Sequence, residues 1–512
     1  MSKKTGIIII ISLLVILGIG ISIYMPNKDK LQKETEDNTD ISYYLLKNDE
    51  KYGVINNNGD IIIDAEYDEI VIPNINRDVF ICTKEEKQKV LNSKKNEIFS
   101  QYQNISAIEL SNVIAETTYE KNVLKYEENN KYGLIKINGE IITKAIYDEI
   151  SSLGYKNGEI LVKENGKYGI INDKGNQIIK ALYDEIISDQ YYNVDEGYKK
   201  SGYIVSNTTD EGYRYGYYDY EGGEVLKVEY NQIMRLTQMK DSNNIYLIAS
   251  KNGQFGVFVN NNKIINTQYQ SITYDEGTNI FIVERTGKYG AINEKGLEIL
   301  KTEYNDIQIN GIYIYTKKEE ENKVFDKNGQ QVEINFNTVI SATTNKDYYI
   351  KIEKDEEEQY SILNSDLKEI TKQKYKYLEY LTGKYFIITN ETGKSGIIDS
   401  DEKEILEPKY DLIQKIKDKN IIQVINFESN TTEIYNKELK KTVELKDMKI
   451  QKLDNYIKVY NDEEEYYLDN NGNQITDETK LGEIKKSNAI LRIGNFKRVT
   501  YGVEQYYYIE EN

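Results

Sequence analysis

Hydrophobic residues in this chain fall into short clusters separated by Asn, Gly and charged residues, and the clusters recur in a fixed pattern. From Lys51 to Ile70 the chain reads KYGVINNNGDIIIDAEYDEI. The pattern returns as KYGLIKINGEIITKAIYDEI from Lys131 and as KYGIINDKGNQIIKALYDEI from Lys167. Looser copies begin at Arg214, Gln254, Lys288 and Lys394. Copies without the central glycine begin at Lys89, Lys323, Tyr360, Glu433 and Tyr466. A period of roughly 38 residues repeated about a dozen times marks a tandem array.

Each copy predicts strands. The aromatic-Gly-aliphatic run is β-rich, and the N-x-x-G after it supplies hairpin turn residues that tolerate positive φ. A second aliphatic run follows, then Tyr-Asp-x-Ile, then an apolar stretch such as Ile160 to Val162 before the next copy. About three to four short antiparallel strands per unit is the content of a propeller blade. Apolar residues occupy both faces of several strands, so each sheet is expected to lie between two others. The predicted fold is all-β and β-propeller-like, two propellers being one arrangement and an open solenoid or superhelix the other. Glycine inside a strand marks close packing. The pairs Tyr52–Gly53, Tyr132–Gly133, Tyr168–Gly169, Tyr215–Gly216, Phe255–Gly256 and Tyr289–Gly290, with Gly396 after a serine, are therefore read as structural.

One segment breaks the pattern. Residues 6–25, GIIIIISLLVILGIGISIYM, are almost unbroken apolar. About 20 residues at a 1.5 Å rise span roughly 30 Å, one bilayer core. The expectation is a short cytoplasmic tail at 1–5, a transmembrane signal anchor at 6–25, a polar linker at 26–40 and the repeat array at 41–512. A cleaved signal peptide is the alternative, because Gly18-Ile19-Gly20 is a small-x-small pattern. The bulk of the chain is expected outside the cell membrane.

Composition narrows the chemistry. The net charge is −19, with 85 acidic and 66 basic residues, which argues against a nucleic-acid partner. With no histidine, the commonest general base and metal ligand is missing. The one cysteine, Cys82, forms no disulfide within the chain and reads as a small buried hydrophobe. No cofactor is expected. Gly393-Lys394-Ser395 lacks the first glycine of a phosphate loop, Ile388 standing there, and falls in register with Gly287-Lys288-Tyr289, so it reads as a repeat turn.

Two candidate surfaces remain. Glu319, Glu320, Glu356, Glu357, Glu463 and Glu464 each precede the opening strand of a unit, and one phase in a repeat array means one edge. That edge is a candidate acidic rim for a cationic partner or weakly bound calcium; solvated hairpin tips are the plain alternative. The longest insertion, between the units at Lys167 and Arg214, carries Tyr191, Tyr192, Tyr198, Tyr203 and Tyr213. Tyrosines on a long loop offer rigid apolar area with a polar tip, suited to partner binding.

The opening [Lys/Arg]-aromatic-Gly-[Val/Ile/Leu]-Ile-[Asn/Asp], the N-x-x-G turn and the closing Tyr-Asp-x-Ile resemble the WG-repeat (KWG-repeat) family. In this chain Tyr or Phe stands where that family usually has Trp. The resemblance implies an architecture rather than an activity. The expected function is a membrane-tethered, non-catalytic binding or scaffold module for protein or cell-wall polymer. The rivals are a glycan hydrolase using carboxylates of separate units, and a passive spacer.

Overall fold

The computed structural model describes residues 41–110, 118–153, 158–193, 197–236, 244–453, 455–487, 492–501 and 505–510. Among them the chain is all-β, with one short helix, Glu478–Ser487. The strands form twelve small sheets, each an antiparallel meander of three or four successive strands, apart from one of six. No described sheet closes into a barrel. The expected tail, anchor and linker at 1–40 lie outside the described residues. Among the described residues no helix is long and apolar enough to cross a membrane.

Sheet boundaries differ from the repeat read in the sequence. Ile61–Tyr67 pairs with Lys51–Asn56, but Glu69–Val71 pairs with Phe80–Lys84 of the next sheet. The same break separates Gln177–Tyr183 from Glu185–Asn193 and Glu224–Tyr230 from Gln232–Arg235. Each sequence repeat therefore straddles two sheets. The cause is visible at the crossing: Tyr67 closes one ladder opposite Tyr52, and the next residue, Asp68, hydrogen-bonds into the following sheet.

Two local devices recur. In the N-x-x-G turn, Asn56 Oδ1 accepts the Asn58 and Asp60 N–H groups, both at 2.9 Å. Asn172, Asp219, Asn293, Asp326 and Asp469 repeat this Asx arrangement. The fourth residue of the turn has positive φ, +88° at Gly59; in copies lacking glycine, Lys95, Leu367 and Leu439 adopt it at +61°, +60° and +58°. The Asx side chain thus specifies the turn even where glycine is missing. In the strand, Gly53 lies opposite a bulge. Tyr52 and Val54 face Tyr67 and Ile63, so the one residue between the first pair opposes three between the second. A Cβ on Gly53 would stand 2.4 Å from the Ile63 carbonyl oxygen. Gly169, Gly256, Gly290 and Gly396 meet the same backbone, whereas Gly133 meets the Tyr126 ring.

The chain divides into two compact units, Met1–Ser100 with Ser111–Lys121 and Leu491–Asn512, and Gln101–Leu110 with Asn122–Ile490. In the first, Tyr43, Val54, Ile63, Ile70, Phe80 and Cys82 pack the six-stranded sheet on the sheet that follows it. Leu46, Ile55, Phe496 and Tyr508 pack together within the six-stranded sheet. Cys82 is fully buried, and that burial pushes its thiol pKa up to about 12. In the second unit, Ile170, Ile179, Tyr183, Ile186, Tyr203 and Val205 join one sheet to the next. Tyr217, Leu226, Tyr230, Leu247 and Phe258 join that one to its successor. Each such side chain contributes roughly 1.5–3 kcal/mol on burial.

Candidate functional site

The insertion expected as a loop is a long hairpin. Glu185–Asn193 and Gly197–Thr209 face one another from Glu185–Ser206 to Asn193–Gly197. A third strand, Gly212–Asp219, pairs with the second only from Gly202 onward. Beyond Gly202 the two strands continue as a two-stranded ribbon. On it Tyr192 lies opposite Tyr198, and Tyr191 opposite Lys199. The side chains of Tyr191, Tyr192 and Tyr198 lie outside the described residues, as do Asp195 and Glu196. Tyr213 is 58% exposed near the turn into the third strand. Tyr203 corrects the expectation: it is fully buried, because it belongs to the paired part of the strand and points into the core with Ile186 and Val205.

A part-buried polar cluster fastens the ribbon's base. Asp189 faces Gly202 and Gln190 faces Lys200, leaving Ser201 as the extra residue of a bulge. Ser201 Oγ donates to the Asp189 carboxylate. Tyr217 Oη donates to the same Oδ2 at 2.5 Å and lies 2.8 Å from Ser201 Oγ. Arg235, on Gln232–Arg235 of the next sheet, places Nε 3.8 Å from Oδ2. Burial, and then the Asp189 charge, push the Tyr217 phenol far above its ordinary pKa, so it remains a donor. Both hydroxyls are held as donors to the Asp189 carboxylate, which ties the base of the ribbon to the third strand. Nothing in the sequence pattern singled out these four residues, because the bulge that gathers them depends on pairing register.

The aspartates of Tyr-Asp-x-Ile have a common task. Asp68 accepts from Lys51 Nζ at 2.5 Å and from the Glu85 N–H at 2.7 Å. Asp148 accepts from Lys131 and the Gly166 N–H, Asp184 from Lys167 and Thr208, Asp411 from Lys394 and Phe427. Each carboxylate joins the opening lysine of one repeat to the hairpin turn of the next sheet. The lysine hydrogen bond holds all four pKa values below the usual carboxylate range. In weaker copies Asn231 and Asn305 keep the turn contact, to the Asn252 and Glu319 N–H groups. Lys394 of Gly-Lys-Ser is one of these lysines, consistent with a repeat turn rather than a phosphate loop.

Glu319, Glu320, Glu356, Glu357, Glu463 and Glu464 are exposed and lie in the hairpin turns joining the second and third strands of three three-stranded sheets. Among the described residues no three acidic or cysteine side chains are gathered as a metal-ligand set. The calcium expectation therefore finds no ligand cluster there.

Fold and site together define a tandem β-repeat protein with one elaborated hairpin. The family model described as WG containing repeat matches at residues 52–74, 132–168, 168–198 and 396–425. The WG-type repeat read in the sequence is thus shown at four places in the chain, which supports a protein of the WG-repeat family. A comparison with curated proteins gives no match. Among solved structures, a eukaryotic initiation factor is 8% identical, with 62% of this chain and 95% of that chain covered, at a TM-score of 0.29. Kluyveromyces lactis Hsv2 is 11% identical, covering 41% of this chain and 78% of that one, at 0.22. The extracellular domain of a B. thetaiotaomicron hybrid two component system is 11% identical, covering 83% and 69%, at 0.18. None of these scores bears on function.

Proposed function

We propose that the chain is a membrane-tethered, extracytoplasmic and non-catalytic binding or scaffold module, whose partners are proteins or cell-envelope polymers. The ribbon beyond Gly202 supports this reading. Most hairpins of the array are short, and this one is extended, tyrosine-rich and fixed at its base by Asp189, Ser201, Tyr217 and Arg235. A part-buried network of this kind restrains an appendage before it meets a partner, which lowers the entropic cost of binding. The sheets are proposed as propeller-type blades, supported by successive four-stranded meanders that pack sheet on sheet in order.

The test replaces residues 190–200 of the full chain with an Asn-Gly turn and measures retention on isolated cell envelopes. The expected result is a loss of at least about tenfold in affinity, with the melting temperature little changed. Undiminished retention would sink the ribbon as a binding element. Release of reducing sugar during the incubation would move the assignment to a hydrolase.

A further inference from the structure

A cleft of about 270 Å³ lies between the first strands of two neighbouring sheets, Asp306–Asn310 and Thr338–Ala342. Its floor is aromatic. Tyr315 and Phe336 meet edge to face at 5.5 Å, and the Tyr315 hydroxyl, donating to the Thr338 carbonyl, fixes that ring. Tyr315 is buried, while Phe336 is part-exposed and lines the cleft. Three carboxamides, Gln308, Asn310 and Asn337, line the walls.

Two lysines, Lys317 and Lys354, one aspartate, Asp306, and Val339 complete the lining. Among the described residues no carboxylate lies within 4.0 Å of either ammonium. Asp306 faces Lys317 across the ladder, yet its carboxylate accepts from Gln308 Nε2 at 3.0 Å instead. Lys317 Nζ sits 6.0 Å from the centre of the Phe336 ring. In a chain carrying −19, this cleft gathers two cations without carboxylate partners in one lining.

Such a lining matches one ligand chemistry. An ammonium pair attracts a carboxylate, planar amides hydrogen-bond neighbouring hydroxyls, and an exposed ring packs against an apolar C–H face. Size argues further. The Ile312 N–H donates to the Ile340 carbonyl at 2.8 Å, and Gly311 pairs with Ile340, beside Asn310 and Val339 of the lining. That bridge closes one end, so the cleft takes a ring-sized group rather than an extended strand of peptide. We infer that the cleft binds a sugar residue bearing a carboxylate, as in a uronic-acid polymer. The inference deepens the binding-module reading, on which it rests for its setting, and uses residues separate from the ribbon.

The experiment titrates the full chain, in a zwitterionic detergent without sugar groups, with digalacturonic acid. The comparison ligands are a neutral disaccharide and a tetraglutamate peptide. Binding of the uronate is expected to be at least about tenfold tighter than of either, and to weaken as salt rises. Lys317→Gln and Lys354→Gln should each weaken it at least about fivefold, with Lys317→Arg restoring part of the loss. Both sites are exposed enough for the variants to fold, checked by unchanged melting. The ribbon-replacement variant should bind the uronate as the wild type does. No uronate binding, equal binding by the glutamine variants, or preference for the peptide would overturn the assignment. If the ribbon variant alone fails on envelopes while uronate binding persists, the two sites are independent. If uronate binding fails while the ribbon still retains envelopes, only the cleft assignment falls.

Discussion

A Cβ placed on Gly53 would press against the Ile63 carbonyl, whereas one on Gly287 meets nothing within 4 Å but sits at φ +71°. The two glycines therefore answer to different constraints, backbone approach and backbone conformation. Gly53→Ala is expected to destabilise by about 1–3 kcal/mol through overpacking. Gly287→Ala should cost about 1 kcal/mol, and Gly287→Asn less, since Asn tolerates this conformation. Urea midpoints of the three variants check the ranking. At this scale the sequence read well but not completely. The strand glycines signalled a close approach, yet five of the seven approach a bulged backbone rather than an aromatic ring. The bulge is set by residue counts between facing positions, which become visible only when the strands are paired. Tyr203 was misplaced for the same reason: on a long insertion every tyrosine reads as exposed until the ladder assigns alternate residues to the core.

At the scale of the element, the hairpins were legible and their fastening was not. The N-x-x-G turns stand where the sequence put them. The clasp that the Lys and Asp of one repeat make between sheets, by contrast, is not legible in the repeat pattern. Asp148→Asn keeps an acceptor for the Gly166 N–H, as Asn231 and Asn305 do in their copies. It should therefore melt closer to wild type than Asp148→Ala, by calorimetry; the reverse order would refute the clasp. The cluster beneath the ribbon makes a sharper case. Asp189→Ala leaves Arg235 beside part-buried hydroxyls without that carboxylate, and removing one partner of such a pair costs about 3 kcal/mol. Amide exchange should quicken in 186–205 first, because the bulge at Ser201 loses its acceptor. Unchanged exchange there would show that the ladder alone holds the hairpin.

Across the whole molecule, the array of about a dozen units is matched by twelve described sheets, including those whose copies lack the glycine. The periodicity carried through because each copy needs only an Asx turn and two aliphatic runs. What the pattern hid was phase, since a repeat unit can be cut anywhere along its length. The recurrent aspartates also give the molecule a common acid response. Asp68, Asp148, Asp184 and Asp411 have folded pKa values below the unfolded one of about 3.9. Their contribution is complete above that value and is lost as pH falls through the folded values. The melting temperature should therefore change little on their account from pH 7 to about 5 and fall below about pH 4. A fourfold Asp→Asn variant at these positions should flatten that fall.

The six-stranded sheet has a temporal consequence. Leu46, in the first described strand, finds Tyr508 as its parallel neighbour, almost at the other end of the chain. At roughly 5–20 residues per second, that edge waits on the order of 20–90 s during synthesis for its mate. Through that interval the strand Tyr43–Asn48 presents unpaired backbone groups to whatever nascent strand emerges next. That edge stays open to other chains until the strand Gln505–Glu510 has left the ribosome.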